Sequence, residues 1–309
     1  GPAGRARLGA SRGHSRYAVH RTAAGSPHSR RDLRLTGPPT MLITAAVVPG
    51  PPAFVAELMG SAAHELDDLR HAADSVVSQA VSDCVAASAD SAISDAGSSQ
   101  LVIVGPGEPG EFNPLGPVSF ASFGRDVVVP ALVGATDLSS QGEHGVTDGR
   151  RLPTPLMVAR HLASRDVAAH PDHADLWASA RWVTTNNTEA RALGESLGKD
   201  AAQIALIMVA DGATCHGPKA PRAEDSRAPA YEDEVCVALA SGQPDRLAQI
   251  DDNLGRELGA TGPQIWPVLI AAADGDWVGE LVWSGAPYGV GWAVAAWRRP
   301  TTDMSVARA

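Results

Sequence analysis

Strand and helix signals alternate along residues 41–297, and this alternation predicts an α/β fold with helices on both faces of a central, mostly parallel or mixed sheet. Three layers in a single domain are therefore expected. The apolar runs 41–48, 101–104 and 204–209 support this prediction, because each is short and continuous enough for a strand buried on both faces. A polar loop follows the last run, at the kind of position where open α/β sheets bind ligands.

Length and composition narrow the class of protein. The chain has 309 residues, of which 44% are hydrophobic, enough for a sizeable core. No apolar run approaches the roughly 20 residues of a membrane span, so no membrane segment is predicted. Cys84, Cys215 and Cys236 show no metal-type spacing and are odd in number. This usage argues against a disulfide framework and for a reducing compartment, the cytoplasm.

Charge is distributed unevenly along the chain. The formal net charge is −10, yet residues 1–40 hold eight arginines and one acid, so the remainder is more acidic still. Such a body is a poor nucleic-acid binder, because phosphate contacts need clustered Lys and Arg. Residues 1–40 are predicted to be a disordered basic extension upstream of Met41, and the α/β domain is predicted to span 41–309. A transit peptide and a basic tail touching RNA or a membrane surface are the alternatives.

The first elements in order are a strand, a helix and a second strand. The strand 41–48 closes at the Pro- and Gly-rich turn 49–52. A helix that Ser61 can cap is predicted to run to about residue 87. Its apolar residues recur at helical spacing: Leu66, Leu69, Ala73, Val76, Ala80 and Cys84.

The second strand, 101–104, runs into a sequence that matches the G-x-G-x-x-G dinucleotide fingerprint at 105–110. That fingerprint requires a helix to begin at the motif and direct its N–H groups at the pyrophosphate. The residues that follow, EFNPLGPVSF, are rich in helix breakers instead. We therefore reject a dinucleotide site.

The rest of the chain continues the alternation. The predicted elements are short strands within 117–133, a loop over 134–150, a helix over 155–164, a strand over 177–185, helices over 188–197 and 230–240, a helical stretch from Pro244 to Leu258, a helix from Pro263, and strands over 277–283 and 290–297 around the turn 285–289. His170 and His173 flank Asp172 in a polar segment, which we interpret as a turn, with metal binding as the alternative.

The loop after the apolar run 204–209 concentrates reactive side chains. Asp211, Cys215 and His216 bring an acid, a thiol and an imidazole within six positions, and they are the candidate catalytic residues. The alternative is a polar turn in which Asp211 caps backbone N–H groups and Cys215 fills the core.

Four motifs lie at the predicted loops and strand ends: V-P-G-P-P at 48–52, V-G-P-G at 104–107, A-D-G-A-T-C at 210–215 and G-A-P-Y-G-V-G-W at 285–292. Together they resemble the class III extradiol ring-cleavage dioxygenase family, together with the related Memo-like proteins. The likeness is to its alanine-rich actinobacterial branch and spans most of 41–297.

The resemblance implies a site that binds Fe(II) and O2 and opens the ring of a catecholic substrate. The family's metal ligands, two His and a Glu or Cys, correspond to Gly50, Gly107 and Thr261, and its acid/base His corresponds to His216. Glycine has no donor side chain, and a threonine hydroxyl is a poor ligand for Fe(II). We therefore expect no metal and no cofactor, with Fe(II) only if the dioxygenase activity survives.

Several functions stay open. The first is a diverged family member without iron that binds a small, aromatic or other, molecule in a cleft. The cleft-lining candidates are Gly50, Gly107, Glu108, Thr261 and Tyr288. The alternatives are an active dioxygenase with non-standard ligands, an enzyme that uses Cys215 as nucleophile, or a non-catalytic component of a complex that pairs with itself or a partner. Whether the chain is an enzyme is left undecided.

Overall fold

The computed structural model describes residues 42–94, 99–132, 146–147, 150–197 and 203–300. The predicted basic extension and most of the predicted loop over 134–150 lie outside the described residues. Within them the strands are β1 Leu42–Val48, β2 Gln100–Pro106, β3 Gly110–Phe112, β4 Val118–Ser119, β5 Val128–Val129, β6 Val146–Thr147, β7 Arg150–Arg151, β8 Arg181–Thr185, β9 Ile204–Val209, β10 Val278–Gly285 and β11 Trp292–Arg298. The α-helices are α1 Ala56–Met59, α2 Asp67–Ser94, α3 Thr154–Ala169, α4 Ala174–Ala178, α5 Ala190–Leu197, α6 Ala228–Ser241, α7 Pro244–Leu247, α8 Asp252–Glu257 and α9 Trp266–Ala272.

Seven strands form the central sheet in the order β10-β11-β1-β9-β2-β8-β3. The middle pairs, β1 with β9, β9 with β2, and β2 with β8, are parallel. The outer pairs, β11 with β1, β10 with β11, and β3 with β8, are antiparallel. The sheet is therefore mixed with a parallel centre, as predicted.

Alternate residues of the central strands enter two separate hydrophobic clusters. Ala46 and Ile207 pack on one face with α2 and α3, whereas Val47 and Met208 pack on the other with α6 and α9. Because successive side chains of a strand point to opposite faces, a continuous apolar run serves both clusters at once. This arrangement confirms the three-layer α/β fold in a single domain. None of the described helices combines the length and the apolar character needed to cross a membrane.

Several predicted boundaries are wrong in detail. The predicted strand over 177–185 starts only at Arg181, because its first residues belong to α4, where Trp177 is buried. The helical stretch from Pro244 is two helices, and the second begins where the Asp251 side chain accepts from the backbone N–H of Asn253 and Leu254. Ser61 does not cap α2, because residues 60–66 form a 3-10 helix before it.

The strand ends decide where a site can form. Since β1, β9, β2 and β8 run parallel, their C-terminal ends lie at one side of the sheet, here called the carboxyl edge. The antiparallel β11 begins at this edge. After β2 the chain enters β3 and not a helix, which agrees with the rejection of a dinucleotide site.

Candidate functional site

Asp211, the second residue after β9, joins three segments at the carboxyl edge. Its Oδ1 accepts a hydrogen bond of 3.0 Å from the Gly50 N–H after β1. Its own N–H donates to Thr261 Oγ1 at 2.8 Å, and its carbonyl accepts from the Thr261 N–H at 2.8 Å. Burial raises the pKa of Asp211 to about 6, opposed by the Gly50 N–H and assisted by the negative charge of Glu232.

Glu232 is a buried acid on α6 that sequence reasoning missed. Its Oε2 accepts a 3.0 Å hydrogen bond from the Ala213 N–H. The carboxylate fits only because two neighbours are glycines: a Cβ at Gly212 would lie 2.2 Å from Oε2, and one at Gly291 would lie 2.1 Å from it. The sequence did carry a signal for this position, because Glu232 lies on the same face of α6 as its buried apolar residues. Those residues are Ala228, Tyr231, Val235 and Leu239.

His216 faces the same acid. Its Nε2 lies 3.6 Å from Glu232 Oε2, beyond a normal hydrogen bond, and both side chains are almost wholly buried. Nε2 is shielded from solvent and has no hydrogen-bond partner among the described residues. The backbone of His216 is fixed by a 3.0 Å hydrogen bond from its N–H to the Gly289 carbonyl. The site therefore combines Asp211, Glu232 and His216.

A cavity of about 10 Å³ lies between Asp211 and Glu232, with Tyr231 and Trp266 also in its lining. That volume is about enough for one water molecule. The indole Nε1 of Trp266 is buried without a hydrogen-bond partner among the described residues, so it is a polar group that such a water could reach. A substrate does not fit here, so ligand contact must come from the solvent side of these residues.

Cys215 does not share the environment of His216. The residue is buried, and its thiol donates to the Leu258 carbonyl at 3.4 Å, whereas the imidazole points toward Glu232. Burial raises the pKa of the Cys215 thiol, which disfavours the reactive thiolate. These contacts do not support Cys215 as a nucleophile paired with His216. Its surroundings match the alternative of a small residue in the core.

The residues that the resemblance aligns with metal ligands do not fit an iron centre. A Cβ at Gly50 would lie 2.7 Å from Val209 Cγ1, so a side chain fits there only if the Val209 side chain moves. Gly107 has no donor side chain, and its N–H is used by the Thr185 carbonyl. The hydroxyl of Thr261 is held by the Asp211 backbone. The facial triad that leaves Fe(II) open to oxygen cannot be assembled from this set.

The remaining cleft candidates lie in separate loops. Glu108 is exposed, and its carbonyl accepts from Thr184 Oγ1 at 2.6 Å, so it belongs to the β2–β8 end of the edge. The Tyr288 hydroxyl donates to Glu65 Oε2 at 2.7 Å. Partial loss of solvent around the hydroxyl and this hydrogen bond raise the pKa of the exposed Tyr288 to about 12. Tyr288 has a φ of +57°, the one left-handed non-glycine among the described residues, and it precedes the Gly289 that holds His216.

Hydrogen bonds thus bring Gly50, Asp211 and Thr261 together, and His216 lies beside Glu232. Gly107, Glu108 and Tyr288 lie in other loops with partners of their own. No protein-family model matches the chain, and no curated protein matches it. Among solved structures it is similar to the crystal structure of uncharacterized protein JW3007 from Escherichia coli K12, at 12% sequence identity and a TM-score of 0.35. The match covers 83% of this chain and 100% of that one. A likeness at this TM-score carries no argument about fold or function.

Proposed function

We propose that this chain is a diverged member of the class III extradiol dioxygenase-like family that binds a small molecule at the carboxyl edge without the family's Fe(II) site. The observation that supports it best is the buried Nε2 of His216, which has no hydrogen-bond partner in the described parts of the chain and lies 3.6 Å from the Glu232 carboxylate. A buried polar atom without a partner costs about 1–3 kcal/mol. Because Nε2 is shielded from solvent, a ligand atom reaches it only when the loop that carries His216 shifts, and pairing with Nε2 would then recover that free energy.

The chemistry of the site selects the class of ligand. Glu232 and Asp211 present carboxylate oxygens, and the His216 imidazole donates or accepts according to its tautomer. Small molecules with hydroxyl or amino donors complement this set, and aromatic diols combine such donors with an apolar body. Asp211, Gly212 and His216 each keep part of their surface accessible, so the ligand approaches from solvent.

The other candidate functions have weaker support. A Cys215 nucleophile is disfavoured by its burial and its raised pKa. An iron oxygenase lacks the donor set at Gly50, Gly107 and Thr261. The cysteines described, Cys84, Cys215 and Cys236, are all free thiols, which supports a cytoplasmic location for the proposed binding function.

Ligand-observed NMR with catechol and protocatechuate tests the binding function. We expect saturation transfer to at least one of them from the wild-type chain, and about tenfold weaker binding in Glu232→Gln, because that change removes the negative acceptor. Glu234→Gln, an exposed acid two positions along α6, is the matched control and should bind like wild type. Absence of transfer from the wild-type chain, or equal binding by Glu232→Gln, contradicts the proposal.

Iron loading tests the second half of the proposal. Protein supplied with Fe(II) under anaerobic conditions should retain far less than one iron per chain, because the loops offer two glycines and an occupied hydroxyl. It should then consume no oxygen with catechol or protocatechuate. Stoichiometric iron together with ring-opening absorbance would restore the dioxygenase assignment.

A further inference from the structure

A second cluster of ionisable side chains lies at the end of α3. Asp166 is in the last turn of α3, His170 follows its last residue, and His173 ends the 3-10 turn Pro171–His173. The Nδ1 of His170 lies 3.3 Å from Asp166 Oδ1, and the Nδ1 of His173 lies 2.8 Å from Asp166 Oδ2. One potential ligand atom from each residue lies within 4.8 Å of the other two, the only such group in the described parts of the chain.

Neighbouring helices orient these side chains. The Asp166 carboxylate accepts from Ser78 Oγ on α2 and, at 2.7 Å, from Trp177 Nε1 on α4. The far nitrogen of His173, Nε2, lies 3.3 Å from Ser82 Oγ, one turn along α2. Metal-binding carboxylates and imidazoles are usually held in this way, with the second ring nitrogen engaged. The Nδ1 of His173 pairs with Asp166 Oδ2 here, so a bound ion would replace that hydrogen bond.

The arrangement of the two rings supports a metal site. One imidazole, that of His173, suffices to pair the buried Asp166. A second imidazole nevertheless directs its Nδ1 at the same carboxylate, and the two rings stack with centroids 4.9 Å apart and planes 25° apart. Two imidazole nitrogens and a carboxylate oxygen therefore converge on one point.

We propose that Asp166, His170 and His173 bind a divalent transition-metal ion, with Zn²⁺ the best fit. Two imidazole nitrogens and one carboxylate oxygen are ligands that zinc accepts in tetrahedral sites. The His170 side chain is 45% exposed, which leaves a solvent-facing position for water as the fourth ligand. Asp166 and His173 are buried, so the ion would tie α3 and α4 to the surface of α2.

This site is distinct from the carboxyl edge. The start of α3 packs against Gly50 and Gly105, where a Cβ at either glycine would approach Pro155 within 3.4 Å. Asp166 lies most of the helix further along, about 17 Å at the rise of an α-helix. The metal would therefore stabilise the helical layer and take no part in ligand binding at Asp211.

Calorimetric titration of the chelator-treated full chain with Zn²⁺ tests the proposal, with Co²⁺ absorption as a readout of tetrahedral coordination. We expect one ion per chain in the wild type, together with a raised melting temperature. Loss of a ligand in His170→Ala should weaken binding at least about tenfold. The exposed His170 can be removed without opening the core, so this variant should still fold.

The matched control is His71→Ala, an exposed histidine on α2 outside the cluster, which should bind Zn²⁺ like wild type. The proposal is overturned if His170→Ala binds as tightly as wild type, if both variants weaken equally, or if Co²⁺ gives only the weak bands of octahedral coordination.

Discussion

At the scale of single residues, the buried acid and its glycines form one packing unit. Glu232 reaches the Ala213 N–H through a space that Gly212 and Gly291 leave empty. These glycines are needed for close approach and not for backbone conformation, since neither has a positive φ. The backbone N–H of Gly212 donates to the Gly291 carbonyl at 2.7 Å, so the two segments are also tied directly.

Gly212→Ala should destabilise the protein by about 1–3 kcal/mol, because the new methyl group would overlap the Glu232 carboxylate. Urea denaturation measures the change. In a Glu232→Ala background the same substitution should cost much less, since the overlapping group is gone. Simple additivity of the two changes would show that they do not interact through this contact.

The pKa of Asp211 predicts a pH dependence of stability. A carboxyl whose folded pKa is raised to about 6 binds its proton more tightly in the folded than in the unfolded state. The contribution of the Asp211 carboxyl to the free energy of unfolding therefore falls as pH rises from about 4 through 6 and stays low above that range. Asp211→Asn keeps an acceptor for the Gly50 N–H and should remove this slope. Relative to its value at pH 4, the free energy of unfolding at pH 7 should therefore be higher in the variant than in wild type, by roughly 1–3 kcal/mol. Parallel pH profiles of the variant and wild type would contradict the assignment.

At the scale of elements, buried strands were predictable and polar contacts were not. The runs that became β1, β2 and β9 need only length and apolar character, both of which are visible in sequence. The role of Glu232 depends on Gly212 and Gly291, residues that reach it only through folding. The Asp166 cluster had a local signal, i, i+4, i+7 spacing with His170 and His173, but the predicted helix ended at residue 164 and left Asp166 out.

The Asp251 side chain caps the N-terminus of α8 and should make a measurable contribution to the stability of the protein. Asp251→Ala should lower stability by about 1 kcal/mol, because the N–H groups of Asn253 and Leu254 lose their acceptor. Thermal melts measure the loss, and Asp276→Ala in an exposed loop is the matched control. A cap variant that melts with the control would mean that water replaces the side chain without cost.

At the scale of the whole molecule, the two clusters on either face of the sheet contain the described core. Residues 1–40 have no amphipathic pattern in sequence, so we expect them to contribute nothing to this core. A chain that begins at Met41 should therefore melt at the same temperature as the full chain. A clear fall in melting temperature on this truncation would show that the segment contributes to the core.

The position of β1 has a consequence for how the protein is made. This strand is synthesised before the rest of the sheet, yet its two neighbours are β9 and β11, which begin at Ile204 and Trp292. At about 5–20 residues per second, it waits on the order of ten seconds or more for its first neighbour. An apolar strand without partners is a site of aggregation. Nascent chains stalled before residue 292 would keep one side of β1 bare, and chaperone capture should be greatest in that interval.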